Sequence, residues 1–207
     1  MHEIVVCTHG IWMKGWVMKP ISRFLSTQGH ECKQYSYHSI RRTPKENALI
    51  LGRFVEQLDA DIVHFVGHSY GGIILLHYFE MFNSVKPGRV VMLGTPLTGS
   101  SVARYISKNN FIKNSILGNS SKALHGHIPV WKGTRPLAII AGTQGHGMGQ
   151  MLGAPLEKPN DGTVAVSETK IENCTLHVQV PYSHIGMLLA KSVAITVDEF
   201  LRTGNVT

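Results

Sequence analysis

Residues 61–82 read DIVHFVGHSYGGIILLHYFEMF and decide the fold. The first part is a short apolar run typical of a buried strand, and the part that starts at Tyr70 has the length and spacing of a helix. Between them the sequence Gly67-His68-Ser69-Tyr70-Gly71 predicts a tight, strained strand-to-helix turn. Such a turn presents the Ser69 hydroxyl at the carboxyl edge of a sheet, beside the unpaired N–H groups of the helix start. The stretch therefore predicts a nucleophilic serine.

The alternation of strand and helix continues along the whole chain. Runs rich in Val and Ile predict strands at Glu3–Thr8, Cys32–Tyr37, Ile62–Val66, Arg89–Leu93, Leu137–Ala141 and Leu176–Val180. Helical lengths and spacings occur at Trp16–Thr27, Lys45–Leu58, Tyr70–Phe82 and Ile185–Leu201. This pattern favours an α/β fold of about six mostly parallel strands, with helices on both faces of the sheet.

Length and composition narrow the class of protein. The 207 residues suit one domain, residues 1–207, with a core that needs no cross-links. With 43% hydrophobic and only 16% charged residues, a disordered or coiled-coil chain is excluded. No apolar run is long enough to cross a membrane, and the first residues leave no room for a signal peptide. Three widely spaced cysteines indicate reduced thiols, so we expect a cytoplasmic protein.

One long connection breaks the regular alternation. Residues 98–135 separate two predicted strands, far more than a usual turn needs, and include a predicted short helix at Ser101–Lys108. We expect this insertion to form a cap over the site. No acidic residue lies between Glu80 and Glu157, whereas Lys and Arg recur there. That basic stretch suits an anionic lipid or membrane surface, or is simply a solvated face. Nucleic-acid binding is not expected, because no recognition motif accompanies the charge.

A serine nucleophile needs a histidine base and an acid that orients the base. In enzymes with this turn, the acid follows the serine and precedes the histidine. Of the four aspartates, only Asp161, in the loop sequence PNDGTV, has that position without falling in a predicted helix. Three glutamates remain possible substitutes, namely Glu157, Glu168 and Glu172.

Two histidines follow Asp161 in the chain. His177 lies within the predicted strand TLHVQV, where a packed histidine is the simpler interpretation. His184 lies in the loop PYSHIG just beyond that strand, from which its imidazole can reach a serine at the same edge of the sheet. Ser69, Asp161 and His184 therefore satisfy residue type, chain order and topology together.

An acyl-transfer site also needs donors for the oxyanion. One donor is expected to be the backbone N–H of Tyr70, the residue after the nucleophile. The second is expected from the loop Thr8-His9-Gly10-Ile11 after the first strand, and we assign it to the N–H of Ile11. His9 either braces this loop or is merely packed. The side chains predicted to line an acyl pocket are Trp12, Phe111 and Trp131, although about half of such aromatic residues belong simply to a core.

No cofactor or metal is expected. His125, His127 and His146 lack the compact spacing of metal ligands. Glycines at 142–149 imitate a nucleotide loop, but they open no clear helix and no suitable acid follows them.

Five segments resemble those of the α/β-hydrolase superfamily, and within it those of small bacterial lipases and esterases: VVCTHGI, DIVHFVGHSYGG, VVMLGTPLTGS, NDGTV and SHIGML. They extend over nearly the whole chain. The resemblance implies a reduced α/β-hydrolase fold with strand order 2-1-3-4-5-6. It also implies that Ser69, Asp161 and His184 are nucleophile, acid and base, with Ile11 and Tyr70 as oxyanion donors.

The expected function is cleavage of a carboxylic ester, of a lipid or a small acyl substrate, through an acyl-enzyme. Two alternatives stay open. The same residues serve a thioesterase or an acyltransferase that uses an anionic acyl donor, which the basic stretch would suit. A catalytically silent binding protein with this fold is the other alternative, although it would have no reason to keep all three residues in order.

Overall fold

The computed structural model describes residues 1–82, 86–108 and 110–206, and it leaves the side chains of residues 110–112 outside the description. Its centre is one parallel sheet of six strands in the order β2-β1-β3-β4-β5-β6, as expected. The strands are β1 (Glu3–Thr8), β2 (Glu31–Tyr35), β3 (Ile62–His68), β4 (Val90–Leu93), β5 (Leu137–Gly142) and β6 (Leu176–Val180). The sequence prediction of the fold class is confirmed.

Position in the sheet explains the composition of each strand. The apolar strands β4 and β5 lie in the interior of the sheet and are buried along their whole length. The edge strands β2 and β6, with the sequences ECKQY and LHVQV, are only partly buried. Strands that helices cover on both faces carry continuous apolar runs, whereas edge strands meet water.

Helices cover both faces of the sheet and create two apolar cores. The helices are α1 (Lys19–Thr27), α2 (Pro44–Glu56), α3 (Tyr70–Met81), α4 (Ser101–Ile106), α5 (Asn110–Ile116), α6 (Ser121–Leu124), α7 (Met148–Met151), α8 (Gly186–Leu189) and α9 (Lys191–Thr203). Helices α2 and α3 bury their apolar sides in one core, and α1, α8 and α9 bury theirs in the other. Alternate residues of β1 point into the two cores, Val6 into the first and Val5 into the second.

Two predicted helices are divided in the structure. The helix expected at Trp16–Thr27 begins with a 3-10 turn, Gly15–Met18, before α1. Pro20 lies at the start of α1, where its missing N–H costs nothing, but it cannot continue a helix from the preceding turn. The helix expected at Ile185–Leu201 is interrupted at Ala190, whose backbone is extended, so that α8 and α9 are separate.

The insertion, residues 98–135, joins β4 to β5 and contains α4, α5 and α6. Apolar side chains from it, among them Val102, Leu117 and Leu124, extend the core formed by α2 and α3. Asn119 anchors it to the loop after β2, where its N–H donates to Ile40 O at 2.9 Å and its amide donates to Arg41 O at 2.8 Å. The insertion is therefore fastened to the body of the domain.

Three cations of the basic stretch bond to backbone carbonyls of other parts of the chain. Arg135 lies against the rings of Phe65 and Phe79 and donates to the backbone carbonyl of Val63 in β3 and to that of Lys86 before β4. Lys86 donates to Leu58 O at 2.7 Å, and Arg89 donates to Leu201 O at 2.7 Å. Several of these cations therefore hold loops and chain ends together. Within the described ranges, no helix is both long and apolar enough to cross a bilayer.

Candidate active site

Ser69 occupies the turn between β3 and α3 in a strained conformation. Its φ is 55° and its ψ is −124°, which a residue with a side chain rarely adopts. Its N–H donates to Leu93 O at 2.8 Å. A Cβ on Gly71 would lie 2.5 Å from Thr8 O, so only glycine lets α3 start this close to the end of β1. The backbone therefore has the geometry that the sequence predicts for a nucleophile turn.

The structure brings Asp161 and His184 together. His184 Nδ1 lies 2.6 Å from Asp161 Oδ2, and the His184 N–H donates to Asp161 O at 2.9 Å. The other carboxylate oxygen, Oδ1, accepts from the N–H groups of Thr163 at 2.9 Å and Val164 at 2.7 Å. Asp161 is 1% exposed and His184 is 6% exposed. The carboxylate is thus held in one orientation, and it holds the imidazole in turn.

Ser69 and His184 line the same small pocket of about 140 Å³. Its walls are mostly apolar, with Ile11, Met148 and Ile185 among them. Among the described residues there is no hydrogen bond between Ser69 Oγ and the imidazole of His184. Contacts between a nucleophile and its base are often long without substrate and shorten when substrate binds.

The two expected oxyanion donors belong to segments that adjoin Ser69. Tyr70 begins α3, where the first N–H groups have no partner within the helix. A Cβ on Gly10 would lie 3.2 Å from the Cβ of Ser69, so the loop that carries Ile11 runs directly against the serine. In the part of the chain that the structure describes, neither the Tyr70 N–H nor the Ile11 N–H donates to an acceptor. Both N–H groups therefore have no acceptor among the described residues.

His9 braces the loop that carries Ile11. Its Nδ1–H donates to Gly10 O at 2.8 Å, and its Nε2 accepts from the Tyr37 N–H at 3.2 Å, with the two rings stacked 4.1 Å apart. This pattern requires a neutral ring, and burial lowers the pKa of His9 accordingly. The C=O and the following N–H of a trans peptide point in opposite directions. By fixing Gly10 O, His9 therefore fixes the direction of the Ile11 N–H.

His68 contacts both the ring and the backbone of His184, which the sequence does not predict. Its Nε2–H donates to His184 O at 3.0 Å, and the two ring centroids are 4.6 Å apart. His68 is fully buried, and burial holds its pKa well below the usual value, with the neighbouring His184 lowering it further. The only sequence signal is its place immediately before the nucleophile.

Two of the three alternative acids, Glu168 and Glu157, make other contacts in the structure. Buried Glu168 accepts from the N–H groups of Ala165 at 3.0 Å and Ser101 at 2.5 Å, and it also pairs with Arg104. Glu157 accepts from the hydroxyl of Ser167 at 2.6 Å. Neither glutamate contacts His184, so the geometry favours Asp161 as the partner of the base.

The predicted pocket aromatics do not all reach the site. Trp12 lines the pocket beside Ser69. Trp131 is buried in the core, where its ring meets that of Phe79 edge-on at 5.3 Å. The structure does not bring Trp131 to the pocket, because its apolar ring completes the packing of the insertion against α3. Phe111 belongs to α5, and its side chain lies outside the described residues.

Among the described residues, His125, His127 and His146 do not come together in one cluster of potential metal ligands. His125 and His127 face backbone carbonyls of the insertion, those of Ser121 and Lys122. His146 lies apart from them and lines the pocket with Ser69. Over residues 1–82, 86–108 and 110–206, no cluster of three potential metal ligands occurs.

No protein-family model and no curated protein matches the sequence. Solved structures match the fold. Lipase BlEst2 of Bacillus licheniformis, in its mature form, has a TM-score of 0.71 at 18% identity over 98% of this chain and 91% of that chain. Phospholipase PlaB from Legionella pneumophila has a TM-score of 0.70 at 15% identity over 98% of this chain and 60% of that chain. The metagenomic carboxyl esterase MGS0156 has a TM-score of 0.69 at 16% identity over 87% of this chain and 64% of that chain.

Proposed function

Since the chain has the α/β-hydrolase fold, we propose that it is a serine hydrolase that cleaves carboxylic esters through Ser69, His184 and Asp161. One observation carries the proposal. A serine in the strained backbone of a strand-to-helix turn shares a pocket with an imidazole whose other nitrogen lies 2.6 Å from a buried carboxylate. This is the arrangement that activates a hydroxyl for attack on a carbonyl.

Each residue of the site has a separate role in the proposed reaction. His184 Nε2 takes the proton of Ser69 Oγ as that oxygen bonds to the carbonyl carbon, and Asp161 keeps the proton on Nδ1 and stabilises the imidazolium. The negative oxygen accepts from the N–H groups of Ile11 and Tyr70, each worth about 3 kcal/mol of barrier. His184 then protonates the departing alcohol, and the acyl group stays on Ser69. Water activated by His184 releases the acid.

The size of the pocket indicates a short acyl group. An apolar cavity of about 150 Å³ holds one benzene molecule, a group of six carbons. The pocket at Ser69 has about 140 Å³ and mostly apolar walls. We therefore expect acyl groups of up to about six carbons to fit without rearrangement.

The insertion contributes to the site as a cap. Its Ile116 O accepts from the Trp12 indole N–H at 2.6 Å, and Trp12 lines the pocket. This contact supports a role for residues 98–135 in shaping the entrance. The alternatives, a thioesterase or an acyltransferase, would use the same triad on a different acyl donor.

Intact mass after treatment with a fluorophosphonate tests the proposal. Wild type should gain one adduct, and Ser69→Ala should gain none. Ser183→Ala is the matched control, because Ser183 lines the same pocket and is not assigned a catalytic role. Labelling of Ser69→Ala, or no labelling of wild type, would contradict the proposal, and the second result would favour a silent binding protein.

A further inference from the structure

A wide groove adjoins the catalytic pocket on the side of Trp12. It has about 620 Å³ and shares Trp12 and Met13 with the pocket that holds Ser69. The rest of its wall comes from Lys14 and from the loop after β2, residues 36–41. The groove therefore borders the pocket of Ser69 through these two shared residues and is much larger than that pocket.

The groove is positively charged and has no internal counterion. Lys14 and Arg41 line it, together with His38, and its lining contains no Asp or Glu. Neither Lys14 nor Arg41 forms an ion pair in the described part of the chain. Other cations are paired, as in Lys33 with Glu31 and Arg202 with Asp198. Two unpaired cations in one concave wall attract an anion.

Two serines add hydrogen-bond donors to this wall. Ser39 Oγ accepts from the Trp12 N–H at 3.0 Å, and Ser36 Oγ accepts from the Gly15 N–H at 2.7 Å. Each oxygen uses a lone pair for the backbone, so each keeps its O–H for another acceptor. Neither O–H has an acceptor among the described residues, although Ser39 is buried. An anionic oxygen in the groove would supply that acceptor.

Trp12 forms part of the wall of both the pocket and the groove. Its φ is 60°, a left-handed value that residues with side chains rarely adopt. The Ser39 hydroxyl holds its backbone, and the Ile116 carbonyl holds its indole N–H at 2.6 Å. A substrate that lies across this fixed ring extends from Ser69 to the cations.

From these observations we infer that the substrate is a short-chain ester of an alcohol that carries an anionic group, such as a phosphate. The acyl group occupies the pocket at Ser69, and the anion of the leaving alcohol lies in the groove of Lys14 and Arg41. This inference rests on the proposed function. The two cations that would bind the anion, Lys14 and Arg41, lie outside the basic stretch of residues 81–156.

A matched pair of esters tests the inference. Butyrate esters of 2-phosphoethanol and of ethylene glycol share the acyl group and an alkyl leaving oxygen, and they differ in charge. We expect wild type to have a kcat/KM for the phosphorylated ester about tenfold above that for the neutral ester at low salt. The ratio should fall toward one in 0.5 M NaCl, because salt screens exposed charges.

Two double variants distinguish an effect of the groove cations from an effect of the net charge of the protein. Lys14→Gln with Arg41→Gln should bring the ratio of the two kcat/KM values close to one at low salt. The control, Lys132→Gln with Lys170→Gln, removes the same charge from exposed lysines that line neither the pocket nor the groove, and it should keep the wild-type ratio. Equal ratios in wild type and the groove variant, or an equal loss in the control, would overturn the inference.

Failure of the inference is distinguishable from failure of the proposed function. If wild type cleaves both esters equally and reacts with a fluorophosphonate, only the recognition of the anion is wrong. If wild type cleaves neither ester and gains no adduct, the serine hydrolase itself is wrong. The salt series uses unmodified protein, so the inference remains testable even if the groove variant does not fold.

Discussion

Replacement of Asp161 by Asn is the sharpest test of the site. Two backbone N–H groups, of Thr163 and Val164, donate to Oδ1, and His184 Nδ1 faces Oδ2. The new amide keeps its oxygen toward the two N–H groups and turns its NH₂ toward His184. The imidazole then accepts at Nδ1 and carries its proton on Nε2, where it cannot receive the proton of Ser69.

Two contributions set the size of the loss. The opposite orientation of the new amide leaves one buried and one part-buried N–H group unsatisfied, at a cost of about 2 kcal/mol, so the wrong tautomer reduces the rate about 30-fold. The variant also lacks the negative charge beside the developing imidazolium, which contributes about 4 kcal/mol for charges about 4 Å apart at an effective dielectric constant of about 20. Together they predict a fall in kcat of about 10⁴-fold, similar to the known effect in a protease triad.

The assay is the release of p-nitrophenol from p-nitrophenyl butyrate, with circular dichroism to show that each variant is folded. Glu157→Gln is the control, because Glu157 contacts Ser167 rather than His184. We expect kcat of the control to stay within a few-fold of wild type. A loss below tenfold in Asp161→Asn, or an equal loss in Glu157→Gln, would show that the acid lies elsewhere.

The same geometry makes three further predictions. Gly71→Ala should lower the free energy of unfolding by about 1–3 kcal/mol in urea titrations, because the new Cβ meets Thr8 O at 2.5 Å; unchanged stability would contradict the close approach. His9→Phe keeps a ring beside Tyr37 but frees Gly10 O, so kcat should fall about tenfold or more with little change in KM. Burial lowers the pKa of both His9 and His68 in the folded chain. As pH falls below about 6.5, these two imidazoles therefore take up protons in the unfolded chain before they do so in the folded chain. The free energy of unfolding should therefore fall between pH 7 and pH 5 by up to about 1.4 kcal/mol per pH unit for each histidine, and a flat profile would show that they are not neutral in the folded state.

The sheet could be predicted because its inner strands are apolar on both faces and bounded by turns. The predicted bounds of β1 coincide with those in the structure, and those of β4 differ by one residue at its start. The division at Ala190 could not be predicted, because apolar spacing continues through it and neither Gly nor Pro marks it.

The position of Asp161 beside His184 could be predicted, because chain order and the predicted topology left few candidates. The support from His68 could not, because the sequence does not show that a ring before the nucleophile reaches the His184 carbonyl. The burial of Trp131 in the core could not be predicted, because an aromatic residue in an irregular segment has no periodicity to indicate which side it faces. The charge count did not show that Lys86 and Arg89, within the basic stretch, donate to backbone carbonyls.

Glu168 has a consequence for protein engineering. It joins the loop of Asp161 to the first turn of the insertion through Ala165, Ser101 and Arg104, while Thr98 N–H donates to its backbone oxygen at 3.1 Å. A chimaera that imports a foreign insertion from residue 98 onward discards three of these partners and loosens the segment that holds Asp161. A junction placed after Arg104 retains them. The natural boundary for exchanging caps on this scaffold is therefore inside α4 rather than at the end of β4.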